Sequence, residues 1–399
     1  MMGFVRIAIP VACGLVLVIG GQPVVAQDDF AVCRDRLSAL AVSRGISERT
    51  ATNVLATVQP LERVIAADRN QPEFVDDFAT YLGARVSATR VERGRTLYAE
   101  HRGLLDGLAA RYGVPGQYLV AFWGLETNFW SVLGSIPVFD SLTTLACDQR
   151  RSAYFTEELI NALTIVERGD AEPGEMIGSW AGAMGQTQFM PSVYIDHAID
   201  GDGDGRANLW RSPADALSSA ARFVASLGWE PGFRWGREVL LPSGFDYALA
   251  GRDRPRTLAE WRRLGITDVA GAAVPSLDVD AALLVPAGSD GPAFLVYNNF
   301  DVIMRWNRSE YFALSIGHLA DRIAGAGGLL KPPPASDRLT RDQLRAIQTS
   351  LNERGFDAGT PDGVLGPATR TAIRSFQSSR GVLADGYPDM ELLAELGIE

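Results

Sequence analysis

The sequence predicts a mainly α protein (α+β): a large helical body with a few short strands, followed by a small three-helix module at the C-terminus. Three observations predict it. Residues 37–55, 75–100 and 104–112 lack proline and space their apolar side chains at helical intervals. Residues 230–300 are instead punctuated by Pro and Gly, with β-rich pieces at 238–241 and 294–297. Finally, Lys331-Pro332-Pro333-Pro334-Ala335-Ser336 follows a glycine-rich stretch at 324–328. Three consecutive prolines cannot sit inside a helix and favour a stiff spacer.

Each element has a local reason. Gly113-Val114-Pro115 ends the third helix and a new one starts near Gln117, running through an apolar 118–125. Helix is expected again over 306–323. In the C-terminal module, Thr340-Arg341-Asp342-Gln343 has capping-box spacing, and Leu344, Ile347 and Leu351 form one face. Gly355 ends that helix, Asp362-Gly363 turns the chain, and Pro367 suits a first helical turn. Ile373 and Phe376 face inward, Arg380-Gly381 closes the second helix, and Pro388 opens a third through Leu392, Leu393 and Leu396. A core of this size is marginal, so the module reads as an add-on.

Composition bounds the function. The chain has 399 residues, enough for two or three domains, and its 47% hydrophobic content can fill real cores. With 48 acidic against 37 basic residues, the formal charge is −11, which argues against a nucleic-acid partner. His101, His197 and His318 form no metal-binding spacing and read as surface or packing residues. The sequence contains no G-x-S-x-G and no phosphate loop.

Residues 1–26 read as a signal peptide. Arg6 supplies the positive end, an apolar run covers 7–21, and Val24-Val25-Ala26 offers a cleavage site before Gln27. The alternative is an uncleaved anchor, but the run is short and Pro10 interrupts it. A lipid attachment at Cys13 is disfavoured because Pro10 lies three places before it and the apolar run continues past it. Signal removal leaves no membrane span and two cysteines, Cys33 and Cys147. In an oxidising compartment they suggest one disulfide, with two buried thiols as the alternative. The organisation expected is therefore a signal at 1–26, a catalytic body at 28–330, a proline-rich linker at 331–336 and a module at 337–399.

The module carries Asp362-Gly363-Val364-Leu365-Gly366-Pro367-Ala368-Thr369-Arg370, then Ala372-Ile373 and Phe376-Gln377. This resembles the peptidoglycan-binding domain type 1 family. The body carries Gly124-Leu125-Glu126-Thr127-Asn128, Ser179-Trp180-Ala181-Gly182-Ala183-Met184-Gly185, Gln188-Phe189-Met190-Pro191-Ser192 and Arg305-Trp306-Asn307-Arg308-Ser309. In this order the strings resemble the lytic murein transglycosylase B family. The resemblance implies a lysozyme-like catalytic fold and peptidoglycan glycan strands as partner. It also implies non-hydrolytic cleavage of the β-1,4 bond between N-acetylmuramic acid and N-acetylglucosamine, with 1,6-anhydromuramoyl products; the signal at 1–26 places the expected site of action in the periplasm. No cofactor is implied for the chemistry. The alternatives are a muramidase that uses water, and a non-catalytic wall-binding scaffold for cell-wall synthesis or lysis complexes.

The residues suit that chemistry. Glu126 lies near the end of an apolar helix, with Phe122, Trp123 and Trp130 at i−4, i−3 and i+4 if the helix continues. Aromatic surroundings disfavour the carboxylate and would let Glu126 donate a proton near neutral pH. The resemblance places Ser179 and Gln188 in polar contact with sugar. It places Asn307 beside the catalytic centre, where it would bond the substrate's acetamido group or orient Glu126. Trp306 stands where some members have tyrosine, keeping a stacking face but a different polar tip, and Phe312 sits where a tyrosine can occur. Arg150 and Arg151 match a paired-arginine position suited to a substrate carboxylate, the alternative being an internal salt bridge. Asp200-Gly201-Asp202-Gly203-Asp204-Gly205 reads as the start of a structural calcium loop, with Arg206 contributing its backbone carbonyl. Its twelfth position is Arg211 rather than Glu, and the family pattern makes Asp215 the candidate last ligand. The alternative is a metal-free Asx turn.

Overall fold

The computed structural model describes residues 27–70, 76–335 and 339–398. The expected signal at 1–26, Val75 of an expected helix and Ser336 of the linker lie outside the described residues. The body opens with α1 (Gln27–Ser43), α2 (Glu48–Leu55), α3 (Glu62–Asn70), α4 (Phe78–Arg85), α5 (Ala88–Glu100), α6 (Arg102–Tyr112) and α7 (Gly116–Thr127). It continues with β1 (Ile136–Pro137), α8 (Val138–Cys147), α9 (Ser152–Arg168), β2 (Ile177–Gly178), α10 (Pro191–His197) and α11 (Pro213–Ser226). Then come β3 (Gly236–Leu240), β4 (Arg256–Thr257), α12 (Leu258–Arg263), β5 (Thr267–Asp268), β6 (Asp280–Leu284) and β7 (Ala293–Val296). Finally α13 (Asn298–Trp306) and α14 (Glu310–Ile323) close the body, and α15 (Arg341–Glu353), α16 (Pro367–Arg380) and α17 (Met390–Leu396) build the module.

Three expected helices are each two. The 37–55 helix breaks at Gly45, whose φ of 95° is costly for other residues. The 75–100 helix breaks where the Ser87 hydroxyl accepts the Arg90 N–H and starts a new helix. The 306–323 helix breaks at 307–309, with Ser309 capping α14. These caps are local side-chain bonds that apolar periodicity does not register.

The body has three packed cores. One gathers α4 to α7 with α11, α13 and α14, around Phe122, Phe129 and Phe300. A second gathers α1, α2 and α8 to α10, around Leu55, Phe155 and Tyr194. The third lies on the five-stranded antiparallel sheet, ordered β4-β6-β7-β3-β5, around Trp261. Trp306 packs against both helical cores. Cys33 of α1 and Cys147 of α8 are joined by a disulfide that spans 114 residues. On the chain-entropy estimate a loop of that length stabilises by about 4–5 kcal/mol.

The module has its own core of Ile347, Leu351, Ile373, Phe376 and Leu393. The expected capping box is present, Thr340 and Gln343 each accepting the other's backbone N–H. The proline stretch does not hold the module at a distance. The Glu238 carboxylate accepts the Leu330 and Lys331 N–H groups at 2.9 and 2.8 Å, and Lys331 Nζ donates to Ser289 O at 2.6 Å. Asp385 of the module accepts the Ser289 N–H at 2.8 Å. Gly288 is needed there: a Cβ on it would lie 2.7 Å from Asp385 Oδ2 and 2.8 Å from Tyr387 Cβ. Between body and module lies a cavity of about 590 Å³, bordered by Tyr81, Arg252, Arg308 and Tyr311 on one side and Arg370 and Arg374 on the other.

Candidate active site

α7 is apolar on every side and almost wholly buried, so it runs through the middle of the body. Its last turn brings Glu126 to the surface of the core, half-buried. Past Thr127 the chain turns sharply. Asn128, Phe129 and Trp130 take φ values of 49°, 55° and 71°, three consecutive non-glycine residues in the left-handed region. Each costs on the order of 1 kcal/mol or more, so the surroundings must hold them. They do: Phe129 folds back onto Gly124, where any Cβ would meet its ring at 2.7 Å. Arg90 donates to Asn128 Oδ1 at 3.3 Å and Arg93 donates to Phe129 O at 3.0 Å. Trp130 is therefore not one helical turn beyond Glu126 as expected, and it is 44% exposed. Phe122 and Trp123 are buried as the helix pattern implies.

Thr127 ties α7 to the Gly- and Ala-rich loop, its hydroxyl donating to Gln186 O at 3.1 Å. Within that loop Ser179 Oγ accepts the N–H groups of Ala181 and Ala183, and Gln188, at φ 50°, donates from Nε2 to Leu133 O and Gly185 O. Both side chains thus shape the loop, a use that the sequence pattern did not disclose. Phe189 is buried beneath the loop and touches Trp306, ring centroids 5.4 Å apart.

Trp306, the last residue of α13, supplies the contact that matters most. Its Nε1–H donates to Glu126 Oε1 at 2.8 Å, across 180 residues of sequence. Its indole stacks on Phe122 at 4.3 Å with an interplanar angle of 28°, and Phe223 lies 5.2 Å away. Asn307 is exposed and its Oδ1 accepts the Ser309 N–H at 3.1 Å, helping to start α14. Phe312 is buried 6.2 Å from Phe122.

Arg150 and Arg151 have a partner of their own. Both guanidinium groups pair with Asp68, which is buried, Arg150 at 2.7 Å, and Arg150 also donates to Asp68 O. The internal salt bridge, the alternative to a substrate-carboxylate site, is thus present, and both arginine side chains keep exposed surface beside it. Asp68 had no signal in the sequence.

In the acidic loop, ligand oxygens of Asp200, Asp202 and Asp204 lie within 4.8 Å of one another. Asp215, the candidate last ligand, also organises the loop. It is buried, and its carboxylate accepts N–H groups from Gly201 at 2.8 Å, Asp202 at 3.3 Å and Asn208 at 2.7 Å. Burial raises its pKa above the usual carboxylate range although these bonds pull the other way. It staples the loop from beneath. Arg211 turns to Glu175.

Comparisons with known proteins agree with one another. Residues 29–321 match the transglycosylase SLT domain family, and residues 340–396 match a peptidoglycan binding domain. Membrane-bound lytic murein transglycosylase B of Escherichia coli is 31% identical over 252 residues, which cover 60% of this chain. The chain spans 65% of the length of that curated relative. The crystal structure of SltB3 from Pseudomonas aeruginosa in complex with NAG-anhNAM-pentapeptide superposes with a TM-score of 0.88 at 43% identity, covering 92% of this chain and 99% of that one. Escherichia coli Slt35 in complex with calcium gives a TM-score of 0.64 at 27% identity, covering 73% and 92%.

Proposed function

The chain belongs to the lytic murein transglycosylase B family, and from that premise we propose that it cleaves peptidoglycan glycan strands without water, with Glu126 as acid and then base. The observation that carries this reading is the placing of Glu126, half-buried at the end of α7 with one oxygen held by Trp306. Glu126 protonates the glycosidic oxygen as the bond to the muramic acid C1 breaks. The carboxylate left behind takes the proton of that sugar's own C6 hydroxyl as its oxygen bonds to C1. The atoms balance with no water consumed, and the product is a 1,6-anhydro sugar. An ordinary glycosidase divides this work between two carboxylates. Sugar contacts by Ser179, Gln188 and Asn307 belong to the same proposal.

The Asp200, Asp202 and Asp204 cluster fits a hard cation, because three carboxylates converge and oxygen is the donor that calcium prefers. Calcium held there would neutralise the clustered acids and stiffen the loop between α10 and α11. Secretion to the periplasm is supported by the 1–26 sequence pattern and by the Cys33–Cys147 disulfide, which suits an oxidising compartment. Among the described residues no helix is long and apolar enough to cross a membrane.

Mass spectrometry of digested peptidoglycan tests the reaction. The expected product ends in anhydromuramic acid, one water lighter than the reducing-end product of a muramidase. Glu126→Gln keeps the shape and removes the transferable proton, so turnover should fall by at least about 1,000-fold. A reducing-end product, or near-normal turnover in that variant, overturns the proposal.

A further inference from the structure

The polar tip of Trp306 points at the catalytic carboxylate and its flat faces are occupied by the protein. Phe122 stacks on the indole at 4.3 Å, nearly parallel, while Phe189 and Phe223 approach to 5.4 and 5.2 Å. A ring packed in this way has little face to offer a sugar. Its Nε1–H, 2.8 Å from Glu126 Oε1, makes a full-strength hydrogen bond. Indole nitrogen donates and never accepts. The carbonyl oxygen of a neutral carboxyl is a better acceptor than its hydroxyl oxygen, so this bond favours the form of Glu126 with its proton on Oε2.

We propose that Trp306 is a positioning residue for Glu126: its indole N–H favours the transferable proton on the other carboxyl oxygen and holds the carboxyl plane in place. This rests on Glu126 acting as the acid. The rigidity comes from the site's construction. Trp306 touches both helical cores of the body, so the donor is referenced to both walls, and α7 delivers the acceptor from the middle of one of them. Side chains that must hold a reacting group to a fraction of an ångström are effective when packing locks their own rotamers. The stacking face expected at Trp306 is turned to Phe122.

The test compares wild type, Trp306→Phe and a variant carrying 3-benzothienylalanine at 306, which keeps the bicyclic shape and exchanges N–H for sulfur. Turnover is measured on a soluble tetrasaccharide of alternating N-acetylglucosamine and N-acetylmuramic acid. Binding of the same glycan is measured by calorimetry in the Glu126→Gln background, where stoichiometry counts folded sites. Expected is a fall in kcat of about ten-fold or more in both variants, with Kd within about two-fold and stoichiometry unchanged. If Phe misfolds, the benzothienyl variant still decides. Unchanged kcat in that variant overturns the inference. So does a weakened Kd that accounts for the whole loss, because Trp306 would then be a sugar platform. Failure of the underlying reading looks different: wild type itself would release no anhydro product.

Discussion

His318 sits inside α14 with 8% of its surface exposed, and burial, aided by the nearby Arg322 charge, depresses its pKa to about 4. The folded chain keeps it neutral down to that value, whereas the unfolded chain takes up a proton below the ordinary 6.5. Its contribution to stability is therefore complete above 6.5 and is lost as the pH falls toward 4. Urea unfolding at pH 7 and pH 5 should show a loss of about 2 kcal/mol that is absent from the same comparison in His318→Gln. Equal pH dependence in the two proteins would contradict it. At this scale the sequence disclosed some roles and hid others for a physical reason. The string around Glu126 was legible because its residues are contiguous. The Trp306 bond to Glu126 joins residues 180 apart, and Asp68 reaches Arg150 and Arg151 over about 80. Such pairings depend on how helices cross, which local spacing does not encode.

The loop between α10 and α11 shows how an element can be legible in outline from local spacing. Alternating Asp and Gly predicted three converging carboxylates, and Asp200, Asp202 and Asp204 converge. The family pattern, not the loop spacing, made Asp215 the candidate last ligand, and three backbone N–H groups donate to its oxygens. Calcium at millimolar concentration should raise the melting temperature by a few degrees, consistent with a weak site at 10⁻⁴–10⁻³ M, order of magnitude. Asp202→Asn should reduce that shift while Asp215 continues to hold the loop. A melting temperature indifferent to calcium and to chelator would remove the metal from the account. The helices follow the same logic: apolar periodicity located α6, α7 and the module's helices closely. Breaks at Ser87 and Ser309 rest on single hydroxyl caps, and the turn after Thr127 rests on three left-handed residues that need Gly124 beneath them.

At the scale of the whole molecule, the prolines suggested a wall-binding module held off on a spacer, raising local substrate concentration. The structure instead docks it on the body through Ser289, Gly288, Asp385 and Lys331. Gly288→Leu should drive a side chain into Asp385 and Tyr387 and push the module away. Small-angle scattering should then give a radius of gyration well above the ~21 Å of one compact body of this length. An unchanged value would mean that other contacts hold the module. Composition could not have shown the docking, which depends on one glycine approach and a few polar contacts. The disulfide has a further consequence for the molecule as an object. Joining Cys33 to Cys147 makes residues 33–147 a closed ring with Glu126 on it. A protease that cuts that ring once produces two new ends and no fragment. In denaturant the nicked enzyme would still travel as one species until a reductant opens the ring, and only then would it separate into two pieces.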